Sequence, residues 1–222
     1  MSWTGFAAIF VAFFLTHSIP VRPPVKARVT ALVGARGFGI GYSILSLAML
    51  SLLIWAASEA PYVQLWPQYP WQRHAVHLGM LAVCLLLALS IGRPNPFSFG
   101  GRRNDRFDPD YPGIVRWHRH PILLGLGLWA GLHLLPNGDL AHVILFGVLG
   151  GFALAGQRLI DRRKRRELGQ ERWHALDSAR RAAPMFHKPA SVRDVSFRIG
   201  AGVLAFVLLI WAHPYVIGVS AL

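Results

Sequence analysis

Apolar residues fall into six runs that are separated by polar segments. The runs cover residues 3–19, 37–57, 73–91, 122–135, 140–160 and 197–219. Most of them approach the roughly 18 apolar residues that suit a transmembrane helix, although the fourth is short. The pattern predicts an all-α fold, a polytopic membrane helical bundle of about six transmembrane helices. Residues 1–222 are expected to form a single integral membrane domain.

The polar segments between the runs alternate in charge. Residues 20–36, 92–120 and 157–198 are rich in lysine and arginine, whereas residues 58–72 and 136–139 contain neither. Basic loops are retained on the cytoplasmic side of a membrane. The three basic segments are therefore expected inside and both chain termini outside. The basic run 162–166 is expected to continue the fifth helix.

The net charge matters because of where it lies. A formal charge of +13 would suggest nucleic-acid binding in a soluble protein. Here the charges lie between apolar runs in a chain of mean hydropathy +0.40, which favours the lipid bilayer as partner over nucleic acid. Cys84 is the only cysteine, so an intrachain disulfide is excluded.

The stretch 119–133 carries the most informative chemistry. It begins with Arg119, His120 and a proline that suits a first helical turn, and it ends at His133. Backbone N–H groups at a helix start favour an anion, so Arg119 and His120 could form the mouth of an anion or cofactor site. Retention of the loop by anionic lipid headgroups explains them equally well. Gly127 and Gly131 form a G-x-x-x-G pair, which predicts close approach of another helix.

Histidines within the apolar runs allow three interpretations: hydrogen bonding between helices, metal ligation and axial ligation of haem. The pair His74 and His77 lies on one helix face, where two imidazoles could share a metal. A ligand set made mostly of imidazole suits haem or copper better than a closed zinc site. The residues alone leave these alternatives open.

Several motifs in a fixed order resemble the NnrU family. They are FLTHSIP at 14–20, GARGFGIGYS at 34–43, the Arg-His-Pro helix at 119–133 and NGDLAHVILFG at 137–147. The resemblance covers about residues 6–176, and the last helix carries none of these motifs. Members are inner-membrane proteins that are often associated with denitrification, which implies a multi-pass protein of the bacterial inner (cytoplasmic) membrane.

The family is similar to 15-cis-zeta-carotene isomerases, which bind haem b. That resemblance implies haem b as cofactor, with His17 and His133 as axial ligands of the haem iron, and His77 also matches a histidine of that branch. Depth along the helices favours a different pair, because His17 lies at the inner end of its helix whereas His77 and His133 lie near the outer side. Ala130 replaces a cysteine of the isomerase branch, which argues against thiolate exchange at the iron.

The implied roles are nitrogen-oxide metabolism, with denitrification proteins as partners, or cis–trans isomerisation of a hydrophobic polyene. Whether the protein is an enzyme stays open. A more distant resemblance to isoprenylcysteine carboxyl methyltransferases gives an alternative, a membrane methyltransferase that binds S-adenosylmethionine at Arg119, His120 and Trp173. A non-catalytic membrane scaffold is the third alternative.

Overall fold

The computed structural model describes residues 1–186, 189 and 191–220, and their regular structure is helical. Within that part of the chain there are seven α-helices: α1 (Trp3–Ser18), α2 (Pro23–Ser58), α3 (Pro70–Ser90), α4 (Pro121–Leu134), α5 (Leu140–Leu168), α6 (Gln170–Ala182) and α7 (Val192–Ile217). Two 3₁₀ turns, Asn104–Arg106 and Gly113–Arg116, lie between α3 and α4. The predicted all-α class is confirmed.

Four helices, α2, α3, α5 and α7, are long and apolar enough to cross a membrane. The helix α7 shows this most clearly, since 6% of its most apolar stretch is buried inside the protein. Large apolar side chains such as Leu204 and Trp211 are exposed there, as expected for a helix that contacts lipid. With 16 and 14 residues, α1 and α4 are shorter. Six spans and outward termini stay predictions.

Local sequence explains where most helices begin. Prolines occupy the first turns of α2, α3 and α4, where a missing backbone N–H costs nothing. Ser2 and Ser191 cap α1 and α7, because their hydroxyl groups accept the N–H groups of Gly5 and Asp194. The predicted extension of the fifth helix through the basic run is confirmed, since α5 ends at Leu168.

Two boundaries differ from the prediction. The basic segment 20–36 was expected to be a loop, but α2 begins at Pro23 and is kinked at Gly34, whose φ and ψ are 75° and 165°. Charged residues between apolar runs therefore lie on a helix here. The last helix begins at Val192 rather than 197, because Ser191 caps it ahead of the apolar run.

The chain divides into two compact units. The first contains Met1–Pro67 and Gly138–Leu145. In it the loop after α2 is joined to the start of α5: the N–H groups of Leu65 and Trp66 donate to the Gly138 carbonyl at 2.7 and 3.1 Å. Gln64 and Asp139 form an isolated antiparallel bridge beside these bonds. These bonds hold the backbone of the aromatic segment 62–67, which contains Tyr62 and Trp66, against the start of α5.

The second unit contains Gln68–Asn137 and Phe146–Leu222. Its helix α3 packs against both α4 and α7. A Cβ atom at Gly79 would lie 2.4 Å from the Leu132 side chain, and one at Gly125 would lie 2.9 Å from Leu87, so α3 and α4 are antiparallel and very close.

The close approach of helices was predicted at the wrong glycines. A Cβ atom at Gly127 would make only ordinary contacts with α5, and one at Gly131 would meet nothing within 4 Å in the described structure. The two helices α4 and α3 instead approach each other closely at Gly125 and Gly79. A glycine pair marks a possible contact face, but the neighbouring side chains decide which glycine is used.

Candidate functional site

The basic segment between α3 and α4 folds against α6 within the second unit. Three buried side chains form the centre of this contact: Phe97, Val115 and Trp173. The Trp173 ring also carries two cations, with the guanidinium carbons of Arg165 and Arg119 at 4.1 and 5.3 Å from a ring centroid. Apolar burial and cation–π contact together hold α6 beside the start of α4.

Asp177 and Arg180 fasten α6 to the 3₁₀ turn Gly113–Arg116. Asp177 is 5% exposed and Arg180 is 4% exposed, and they form an ion pair of 2.6 Å. Nη1 of Arg180 also donates to the carbonyls of Val115 and Arg116 at 2.9 and 3.0 Å. The charges are therefore paired and hydrogen-bonded, which is the condition under which burial is tolerated.

Arg119 lies between two carboxylates. Its guanidinium contacts Asp161 at 2.7 Å and Asp177 at 3.5 Å. Burial opposes the charge of Arg119, but these two carboxylates outweigh it and raise the pKa of the guanidinium. The predicted anion mouth therefore contains an arginine whose charge is already compensated within the protein.

His120 is 2% exposed and hydrogen-bonded at both ring nitrogens. Its Nε2 is 3.0 Å from Oδ1 of Asp161, and its Nδ1 is 3.1 Å from Oγ of Ser98. A carboxylate only accepts, so Nε2 carries the proton and Nδ1 accepts from the Ser98 hydroxyl. Burial lowers the pKa of His120 more than Asp161 raises it, and Arg119 lowers it further.

This serine, histidine and aspartate arrangement resembles a hydrolytic triad in its connections. Ser98 is 2% exposed and does not line the cavity beside His120, so a substrate has no path to its hydroxyl. The arrangement therefore positions His120 and the start of α4 and does not supply a nucleophile.

A cavity of about 230 Å³ opens beside these residues. Its walls include Trp117, His118, Arg119, His120, Arg158 and Asp161. Burial, followed by the charges of Arg119 and Arg180, lowers the pKa of His118, so both histidines are neutral at neutral pH. Arg158 is exposed and has no acidic partner among the described residues, which leaves the cavity with an excess of positive charge.

The structure therefore brings Arg119 and His120 together at one cavity, as predicted. Whether an anion or a cofactor binds there stays a prediction. Trp173 does not line this cavity and is 2% exposed. The cavity volume also lies below the range of roughly 300 to 1,000 Å³ that is usual for ligand pockets. The geometry thus offers the S-adenosylmethionine alternative no support.

His133 lies on α4 between aromatic rings. Its Nδ1 is 2.8 Å from the Trp129 carbonyl, and its ring centroid lies 5.1 Å from that of Trp129 and 5.2 Å from that of Phe146. A carbonyl can only accept, so Nδ1 carries the hydrogen and Nε2 keeps its lone pair. This is the tautomer that a metal-ligating histidine needs.

His17 has the same arrangement in the first unit. Its Nδ1 is 3.0 Å from the Phe13 carbonyl, and its ring lies 4.0 Å from that of Phe13. Both histidines implied as haem ligands therefore have Nε2 available for a metal. His17 belongs to the first unit and His133 to the second, and their pairing stays a prediction.

His77 lies on α3 at nearly the same height as His133, as the antiparallel contact between Gly79 and Leu132 requires. Whether these two histidines would hold one haem stays a prediction. Within the described residues, no group of three or more His, Cys, Asp or Glu side chains could hold a metal ion.

The ion pairs described above join a charged cluster of Arg119, His120, Asp161, Asp177 and Arg180. Its members Asp161, Asp177 and Arg180 were not predicted from the sequence. The available indication was the scarcity of acids, since only 10 of the 222 residues are Asp or Glu. Five of those acids, Asp161 and Asp177 among them, lie in the basic segment 157–198, where each has basic side chains close in sequence with which it can pair.

Residues 5–221 match the family described as NnrU protein, so the match continues through α7. No curated protein and no solved structure matches the chain. With nearly its whole length matched, the chain belongs to the NnrU family.

Proposed function

We propose that this NnrU family protein binds haem b, with His133 as an axial ligand. The observation that carries the proposal is the hydrogen bond from Nδ1 of His133 to the Trp129 carbonyl. It fixes the ring and leaves the Nε2 lone pair for iron, as in histidines whose other nitrogen is held by a backbone carbonyl. His17 has the same tautomer and is the second ligand that the resemblance implies.

The surroundings of His133 suit a flat apolar cofactor. Trp129 and Phe146 present aromatic rings beside the imidazole, and α4 is apolar along almost its whole length. Apolar walls exclude water and stabilise a bound porphyrin through the same burial that stabilises a protein core.

Bound haem would supply Lewis-acid or one-electron chemistry at its iron. The chain would hold the iron through His133, keep water away with its aromatic side chains and admit a ligand from lipid. The apolar setting favours a lipophilic polyene, and therefore cis–trans isomerisation, over a soluble substrate. The other proposed role is in nitrogen-oxide metabolism, in which the protein that carries this site would act together with denitrification proteins.

Haem binding is tested with protein expressed under haem-replete conditions and purified in detergent. The wild-type protein is expected to show a Soret band and a stoichiometric pyridine haemochrome. The His133→Gly variant should lose the band, and added imidazole should restore it, because free imidazole can occupy the vacated ligand position. Rescue separates loss of a ligand from loss of the fold. A wild-type protein without haem would overturn the proposal.

The second ligand is identified by the same spectra. We expect His17→Ala to convert a six-coordinate haem into a five-coordinate one, whereas His77→Ala should leave the coordination unchanged. His174→Ala changes an exposed histidine on α6 and serves as the matched control. If His77→Ala alone changes the coordination, His77 is the second ligand and the assignment of His17 is wrong.

A further inference from the structure

Trp117 separates two cavities of opposite character in the second unit. The polar cavity described above lies on one side of it, and a cavity of about 250 Å³ lies on the other. The second cavity is lined mostly by apolar and aromatic side chains, among them Leu89, Tyr111, Ile114, Phe186 and Val195. The Trp117 ring contacts that of Phe186 at 5.2 Å and so forms a shared wall.

The apolar cavity also has a charged corner. Arg93 lines it and pairs with Asp194 through one terminal nitrogen. Its Nε is buried and has no hydrogen-bond partner. A buried donor without an acceptor is unfavourable and uncommon in folded proteins. An acceptor oxygen on a bound molecule would satisfy it.

The position of the two cavities suits a molecule that is partly in lipid. Leu89 lies at the end of α3 and Val195 near the start of α7, both of which are apolar enough to cross a membrane. The apolar cavity therefore lies where these two helices leave the expected hydrocarbon region. The polar cavity lies beyond Trp117, next to Arg158 and the start of α4.

We propose that the second unit binds an anionic amphiphile across Trp117, with its phosphate or carboxylate head in the polar cavity, its hydrocarbon part in the apolar cavity, and an oxygen of the linkage between them accepting from Nε of Arg93. Arg158 lines the polar cavity and provides charge that no carboxylate in the described structure compensates. Trp117 gives the hydrocarbon an aromatic surface. This site is independent of the proposed haem.

A phosphate can come from a lipid headgroup or from free phosphate, and the test compares both. Detergent-purified protein is titrated with dihexanoyl phosphatidic acid, dihexanoyl phosphatidylcholine and inorganic phosphate, and binding is measured by native mass spectrometry. We expect phosphatidic acid to bind most tightly. Equal binding of inorganic phosphate would overturn the amphiphile, and equal binding of phosphatidylcholine would overturn the anionic head.

Arg158→Gln is the decisive variant because the side chain is exposed and its loss should not disturb the fold. The dissociation constant for phosphatidic acid should rise about tenfold, because the variant loses one charge-assisted hydrogen bond. Arg162→Gln removes the same charge one turn further along α5, outside the cavity, and should change binding less than about twofold. Equal effects of the two variants would show general attraction of lipid to a basic surface and would overturn the site.

Trp117→Ala tests the connection between the cavities. It should weaken binding of phosphatidic acid much more than binding of inorganic phosphate, because Trp117 is a wall of both cavities and only phosphatidic acid would occupy both. If phosphatidic acid binds this variant as tightly as the wild-type protein, the hydrocarbon does not cross Trp117 and the proposal is wrong.

Discussion

Single residues in the charged cluster show how burial changes the meaning of a basic sequence. Asp177 accepts hydrogen bonds from Arg180 and Arg181 and contacts Arg119. Burial opposes its ionised form, but these guanidinium groups outweigh burial and lower its pKa. One carboxylate therefore compensates charge from both α6 and the start of α4.

Removing that carboxylate is expected to destabilise the second unit strongly. Asp177→Ala leaves Arg180 buried without its counter-charge, which costs about 3 to 5 kcal/mol in comparable buried pairs. Thermal unfolding in detergent should occur at a clearly lower temperature. Asp105→Ala removes an exposed acid and should unfold as the wild-type protein does. Similar midpoints for the two variants would contradict the buried network.

The neutral histidines predict a dependence of stability on pH. The pKa values of His118 and His120 lie below their ordinary 6.5, mainly because both rings are buried. As pH falls through 6.5, the unfolded chain takes up protons before the folded protein does, so stability is lost toward acid pH.

The double variant His118→Gln, His120→Gln should show a weaker decline in melting temperature between about pH 7.5 and pH 5.5. Its melting temperature at the upper end of that range can differ from that of the wild-type protein, so only the slope is compared. Identical slopes would mean that other groups control the acid response.

At the level of helices, the contact between α3 and α4 depends on a missing side chain. Gly79→Ala places a methyl group against Leu132, and overpacking of this kind costs about 1 to 3 kcal/mol. We expect a lower melting temperature in detergent. Gly131→Ala adds the same group to α4 in open space and is the matched control. If the melting temperature of Gly79→Ala is no lower than that of Gly131→Ala, the close contact at Gly79 is contradicted.

The first residues of α3 and α4 could be predicted from the sequence to within a few positions, because Pro70 and Pro121 mark the first turns of these helices. The first half of α2 could not, because its arginines and lysine gave it the character of a loop. Arg119 and His120 were found because they immediately precede a proline at a helix start. Asp177 was missed because its contact with Arg119 spans 58 positions in the chain, and only the fold brings them together.

For the whole molecule, the charge pattern predicts an orientation in the membrane. Lysine and arginine are excluded from residues 58–72 and concentrated in 92–120. The first segment should therefore face outward and the second inward.

Single cysteines in a Cys84→Ala background provide the measurement, because Cys84 is the only native thiol. Gln68→Cys should react with a membrane-impermeant maleimide in intact cells. Arg103→Cys should react only after the membrane is opened. The reverse pattern would place the basic segments outside and would also move the proposed amphiphile site to the other face.

The joint between the loop after α2 and the start of α5 has one more consequence. A methyl group at Gly138 would lie 2.2 Å from the Trp66 carbonyl oxygen and 2.6 Å from the indole ring. No rotamer relieves a collision with main chain, so any side chain there would push Trp66 and its neighbours away. The packing of this aromatic segment therefore depends on Gly138, a residue without a side chain that lies far along the sequence from it.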